Sequence, residues 1–70
     1  MNDKTIQQDI KRFCYVYGID LSGNSRNGIA IAHEGYATAF EHWATVLYAL
    51  QEWRSGISFR DACVKAGKRD

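Results

Sequence analysis

Two pairs of adjacent residues, His33-Glu34 and Glu41-His42, have the side-chain types that acid–base or metal chemistry requires. A metal site on one helix needs ligands four residues apart, so that both side chains reach the same ion. The two histidines are instead nine residues apart and the two glutamates seven apart. On one helix these spacings correspond to about 13 Å and 10 Å along the axis. The spacing therefore predicts no metal site within one chain, and no cofactor is expected.

Local motifs of nucleophilic catalysis are missing from the sequence. There is no GxSxG segment, and neither Cys14 nor Cys63 has a second thiol at CxxC spacing. Both cysteines fall in apolar stretches that predict helices, where a free cysteine packs as a small hydrophobe. Two unpaired cysteines are typical of a reduced, cytoplasmic protein. We therefore expect no catalytic residues and no enzymatic activity, although an acid–base site shared across a dimer axis stays open.

Both histidine–glutamate pairs lie in the stretch 28–55, which has no proline and no lysine or arginine before Arg54. Its apolar and small residues recur at alternating steps of three and four, the spacing of one helical face. The pattern predicts one long amphipathic helix, with a break at Gly35 as the alternative. The charged side chains within the stretch argue against a membrane span. The predicted face consists of Ile29, Ala32, Tyr36, Ala39, Trp43, Val46, Leu50 and Trp53.

Shorter elements are predicted on either side of this helix. A stripe of apolar residues predicts a helix over residues 3–17, which Gly18 ends. Residues 18–27 are rich in Gly, Asn and Ser and predict a loop. Ser58 stands three residues before Asp61, a capping pattern that predicts a short helix over residues 58–67. The sequence thus predicts a single all-α domain over residues 1–70, with about three helices.

The predicted helix lengths favour self-association. The central helix would be about 40 Å long and the first about 22 Å, so the shorter helices cannot cover the long apolar face. An uncovered apolar face is an interface or an aggregation hazard, and a two-fold axis would bury it. We therefore expect a homodimeric helical bundle. Its predicted interface comprises Tyr36, Phe40, Trp43, Val46, Leu47, Leu50 and Trp53.

A second predicted surface would contact a larger protein. Tyr15 and Tyr48 lie off the apolar stripes, and amphipathic rings of this kind are enriched at interfaces. Glu34 and Glu41 lie on the polar face of the central stretch. We expect these four residues to contact the partner. The favoured function is a small regulator or inhibitor that binds a larger protein, of the kind that phages or plasmids carry.

The basic C-terminal segment supports an alternative function. Residues 54–70 carry five cations and two acids, whereas residues 27–53 carry three acids and neither lysine nor arginine. Residues 56–67 (GISFRDACVKAG) resemble the first helix and turn of a helix-turn-helix, a family in which a second helix reads DNA. Only three residues follow them, so the sequence predicts no second, DNA-reading helix after this segment. The alternative is a DNA-associated regulator, and the same cations could instead pair with the acidic stretch. The cations are Arg54, Arg60, Lys65, Lys68 and Arg69.

Overall fold

A computed structural model describes residues 3–25 and 28–69 of the chain, with the side chains of residues 4–22 and 28–69. The described residues form three helices and one three-stranded antiparallel sheet, so the prediction of an all-α bundle is wrong. In chain order the elements are α1 (Asp3–Tyr17), β1 (Asp20–Ser25), β2 (Gly28–His33), β3 (Tyr36–Phe40), α2 (Trp43–Arg54) and α3 (Phe59–Gly67).

The first and last helices occupy the ranges that the sequence predicts. At the end of α1, the Ile19 N–H donates to the Cys14 carbonyl at 2.8 Å, and Gly18 adopts a φ of 68°. This six-to-one hydrogen bond is the usual way a helix ends at a glycine. At the start of α3, the Ser58 hydroxyl accepts a hydrogen bond from the Asp61 N–H at 3.1 Å, which confirms the capping pattern.

A β-hairpin and a short helix replace the predicted long helix over residues 28–55. Strands β2 and β3 read GIAIAH and YATAF, in which large residues alternate strictly with alanine. Alternation with a period of two is the pattern of a strand, and isoleucine, threonine and aromatic residues fit its pleated surface. Alanine also fits a helical stripe, which is why the same residues recur at steps of three and four and predict a helix. Within this stretch only α2 is helical.

Glu34 and Gly35 connect β2 to β3 in a two-residue turn, so Gly35 is neither inside a helix nor a break between two helices. Their φ values are 52° and 79°, both in the left-handed region. Two positive φ angles in succession define the type I′ hairpin turn, whose twist matches that of the strands it joins. Glycine adopts this conformation without cost, whereas a residue with a Cβ loses about 1–2 kcal/mol there.

Strand β1 lies where the sequence predicts a loop over residues 18–27. Its residues, DLSGNS, have the composition of a turn. Asp20 and Leu21 nevertheless pair with Ala32 and Ile31 of β2, and the register then shifts before Asn24. A β-bulge of this kind lets a polar, glycine-containing segment follow the neighbouring strand. Pairing with β2 therefore decides the structure here.

The sheet has the order β1-β2-β3, and the helices pack against one of its faces. Ile29, Ile31 and Phe40 point toward the helices and are buried, whereas Ala37 and Ala39 on the opposite face are exposed. Helix α2 packs against both α1 and α3 and completes the second layer. The core consists of Ile10, Cys14, Ile19, Ile29, Ile31, Phe40, Val46, Ala49, Leu50, Phe59, Cys63 and Ala66.

The start of β2 depends on a close approach that only glycine permits. Gly28 has a φ of 114°, and a Cβ there would lie 2.1 Å from the Phe40 carbonyl oxygen. At Gly35 the φ of 79° is also left-handed, but an added Cβ would meet no atom within 4 Å. An alanine at Gly35 therefore introduces backbone strain alone, whereas an alanine at Gly28 introduces both strain and steric overlap.

We expect Gly28→Ala to lower the free energy of unfolding by about 2–3 kcal/mol, because strain and overlap add. Gly35→Ala serves as the control and should lose only about 1–2 kcal/mol from strain. Urea unfolding monitored by circular dichroism measures both. Equal losses in the two variants would show that the backbone at Phe40 moves aside freely.

Candidate protein-binding site

The two histidine–glutamate pairs lie at opposite ends of β3. His33 and Glu34 are at the β2–β3 turn, whereas Glu41 and His42 follow the strand and precede α2. The strand separates them by about 17 Å, so the distances predicted for one helix do not apply. His33 Nε2 lies 3.5 Å from Glu34 Oε1, an ion pair when the histidine is protonated. Within residues 3–25 and 28–69, no three His, Cys, Asp or Glu side chains are grouped as a metal site requires.

An aromatic cluster around Trp53 connects α1, the hairpin, α2 and α3. The Trp53 ring meets Tyr17 edge to face at 5.1 Å between centroids and His33 at 5.2 Å. Phe13 stacks on Tyr17 at 4.4 Å. Each contact of this kind contributes about 0.5–1.5 kcal/mol beyond the burial of its area. The cluster consists of Phe13, Tyr17, His33, Tyr36, Trp53 and Phe59, and it holds the C-terminal half of α1 in place.

Beside this cluster, α1 presents the most exposed large apolar side chains of the described residues. Tyr15 is 89% exposed and Val16 is 65% exposed. A shallow groove of about 280 Å³ runs along the same helix to the end of α2. The groove is lined by Asp9, Arg12, Phe13, Val16, Tyr17 and Arg54. We call Tyr15 together with these groove residues the α1 surface.

The sequence predicts Tyr15 as a contact residue but does not predict the groove on the same helix. Phe13 and Tyr17 belong to the apolar stripe of α1, and both pack against the core while remaining half-buried. Val16 is not among the contact residues that the sequence predicts. The available signal was the succession of two apolar residues, Tyr15 and Val16, on the polar side of the helix.

The four residues predicted to contact a partner lie on different elements. Tyr15 is on α1, Glu34 is at the hairpin tip and Glu41 is exposed between β3 and α2. Tyr48, on α2, is half-buried, and the guanidinium carbon of Arg69 lies 4.1 Å from the centre of its ring. The structure therefore assigns Tyr48 a contact within the chain and does not gather the four residues into one patch.

The residues predicted to form a helical dimer interface divide into two groups. Phe40, Val46 and Leu50 are only 2%, 0% and 0% exposed, since the sheet and the other helices cover them. In this fold they are core residues, and their side chains are not accessible to a second copy. The remainder are partly buried and pack against the core, and they are Tyr36, Trp43, Leu47 and Trp53. The uncovered 40 Å helix face from which the dimer was deduced does not exist, because α2 has 12 residues.

The cations proposed to contact DNA also separate. Lys65 Nζ lies 3.4 Å from Glu52 Oε2, so this cation pairs with α2. Arg69 covers Tyr48, and Arg54 lines the α1 groove. Arg60 and Lys68 are exposed on and just after α3. The segment that resembles the first helix of a helix-turn-helix is α3, which follows α2 after residues 55–58.

Both cysteines are free and buried. Burial raises the pKa of the Cys14 thiol, and it raises the pKa of the Cys63 thiol to about 11. A thiol acts as a nucleophile only when it is ionised, so neither group is prepared for chemistry at neutral pH. Both side chains pack as small hydrophobes, as the sequence predicts.

The fold and the site together define a two-layer α/β protein of the order α-β-β-β-α-α, with an apolar and basic surface on its first helix. Comparison with protein families, curated proteins and solved structures gives no match. Among the described residues, none of the helices has the length and hydropathy that crossing a bilayer requires.

We expect Cys63 to react slowly with thiol reagents in the native protein. At pH 8 a thiol with a pKa of about 11 is ionised to about 0.1%, against about 10% at its ordinary value of 9.0. A Cys14→Ala variant isolates the reaction of Cys63, and the same variant in urea gives the reference rate. Native labelling should be at least about tenfold slower and should accelerate toward pH 11. Equal rates would show that Cys63 is accessible and reactive.

Proposed function

We propose that this chain is a cytoplasmic, non-catalytic protein that regulates or inhibits a larger protein by binding it through the α1 surface. The observation that carries the proposal is the exposure of two apolar side chains on α1, Tyr15 at 89% and Val16 at 65%. Apolar residues scattered singly over a surface are ordinary, but Val16 lines a groove together with Phe13 and Tyr17, and exposed apolar residues of this kind beside a groove are typical of a binding site.

The composition of the α1 surface supports a protein partner. Tyrosine and arginine are the residue types most enriched among those that dominate binding energy. Here Arg12 and Tyr17 of α1 line the groove together with Arg54 of α2, and Tyr15 is exposed on the same helix as Arg12. Guanidinium groups bind carboxylates through two parallel hydrogen bonds, while the tyrosine rings bury apolar area. The partner surface that fits is therefore apolar with acidic residues at its edge.

The rigidity of the surface supports the same conclusion. Phe13 and Tyr17 are held by stacking on each other and by their edge-to-face contacts with Trp53. A surface that is already ordered loses little conformational entropy when a partner binds. The buried, un-ionised thiols and the separated histidine–glutamate pairs support a role in binding rather than in catalysis.

The test compares a double variant of the α1 surface with a matched control. Tyr15→Ala combined with Val16→Ser removes the two exposed apolar side chains, and Val64→Ser removes another, 47% exposed, from α3. Immobilised wild-type protein and the control should retain the same partner from a host extract, and the double variant should lose it. With the purified partner, the double variant should weaken affinity about 30-fold or more, the effect of one dominant contact.

Urea unfolding must show that the double variant is as stable as the wild type, because both substituted side chains are largely in solvent. Equal retention of the partner by a stable double variant would refute the α1 surface as the binding site. Equal losses in the double variant and in the Val64→Ser control would refute it as well.

A second candidate function is DNA binding by the α2–α3 pair. The observation that favours it is the four-residue connection, residues 55–58, which contains Gly56 and joins the two helices as in helix-turn-helix proteins. Helix α3 would then enter the major groove and bring Arg60 and Lys68 to the phosphates. The paired Lys65 contributes less, because Glu52 already neutralises it.

For this second function we expect duplex affinity to fall about 10- to 40-fold between about 50 and 200 mM salt, the dependence that two or three phosphate contacts produce. Arg60→Ala combined with Lys68→Ala should reduce the slope of log affinity against log salt concentration by about two, whereas Lys11→Ala on α1 should leave this slope unchanged. A gel-shift titration measures both. Absence of a shift at the lowest salt concentration would exclude DNA binding.

A further inference from the structure

Strand β3 forms one edge of the sheet, since β2 is its neighbour on one side only among the described strands. His33 and Tyr36 flank the two-residue turn and pair with each other. In a hairpin of this type that pair exchanges both backbone hydrogen bonds, and the exchange then recurs at every second residue. The N–H and C=O groups of Ala37 and Ala39 therefore point away from β2, toward the open edge.

The two edges of the sheet differ in how they are protected. β1 carries a register irregularity, glycine and polar residues, all of which discourage pairing with another strand. β3 has the sequence YATAF, without charge, proline or glycine, and its pairing with β2 is regular throughout. Both of its outward-bonding residues, Ala37 and Ala39, are exposed. An unprotected edge of this kind is a template for another strand.

We propose that β3 pairs antiparallel with β3 of a second copy, about a two-fold axis at Thr38, to form one six-stranded sheet. In this register Ala37 of each copy lies opposite Ala39 of the other, and each such pair exchanges two hydrogen bonds. If the axis passes through Ala37, this residue pairs with its own copy, and Ala39 lies opposite residue 35, outside the strand. If the axis passes through Ala39, Ala37 lies opposite residue 41, which is also outside the strand. The axis at Thr38 therefore uses every edge hydrogen-bonding group of both alanines.

Side chains on both faces are compatible with this register. On the helix side, Thr38 meets Thr38 of the second copy, and paired threonines on adjacent strands are favourable. On the open side, the methyl groups of Ala37 and Ala39 leave the two backbones free to approach. Phe40 keeps its ring in its own core, where it is 2% exposed.

The symmetry of the edge favours a second copy over an unrelated strand. Ala37 and Ala39 lie at equal distances from Thr38, so an identical edge matches every outward N–H and C=O group of both residues. Opposite residues in this register have numbers that sum to 76, so Tyr36 of each copy lies opposite Phe40 of the other. The pairing uses β3, whereas the proposed partner contacts use α1, so each proposal can fail without the other.

The test is the mass of the full chain by sedimentation equilibrium at concentrations up to about 1 mM. We expect a wild-type mass approaching twice the 8.0 kDa of one chain. Ala39→Pro removes the edge N–H without touching the β2–β3 ladder and should raise the dissociation constant at least tenfold. Ala39→Ser retains that N–H and should remain dimeric. Circular dichroism establishes that both variants are folded.

A wild-type mass of one chain throughout the concentration range would overturn the proposal, whether or not a foreign peptide binds the edge. So would a folded Ala39→Pro variant that remains dimeric.

Discussion

Pairing between β2 and β3 is the interaction on which the rest of the structure depends. The two-residue turn at Glu34 and Gly35 folds the alanine-rich strands back on each other and places Ile29, Ile31 and Phe40 on one face. That face, together with α1 and α3, buries the apolar side of α2. Because Gly28 lies against the Phe40 carbonyl, the hairpin closes without a gap at its open end. A chain of 70 residues has a small core, so this layer of the sheet is indispensable.

The sequence predicts the first and third helices well because their signals are local. The apolar stripe of α1, the end of the helix at Gly18 and the Ser58 cap each depend on residues that are close together in the sequence. The hairpin is mispredicted because alanine satisfies a period of two and a period of 3.6 equally, and because Glu34-Gly35 is an uncommon form of a turn usually made by Asn-Gly or Asp-Gly. β1 is mispredicted because its strand character comes from β2. Pairing partners of that kind cannot be read from composition.

The candidate site shows the same division between local and tertiary information. The exposure of Tyr15 can be predicted because the apolar stripe of α1 leaves this residue on the polar side of the helix. The groove cannot be predicted in this way, since Arg54 reaches α1 only after the hairpin has positioned α2. The predicted long helix face does not form, for the reverse reason: residues that share one stripe in the sequence are distributed between a strand and a helix, and three of them are buried.

Glu34 shows why the hairpin tip is best understood as a contact. Its left-handed backbone costs about 1–2 kcal/mol, and its partly exposed ion pair with His33 returns at most about 1 kcal/mol. Within a single copy the balance is unfavourable, and glycine or asparagine would form the same turn at lower cost. Strained residues of this kind concentrate at functional positions, where another interaction offsets the strain. The predicted contact of Glu34 with a partner would supply such an interaction, because the Glu34 side chain is 62% exposed at the hairpin tip.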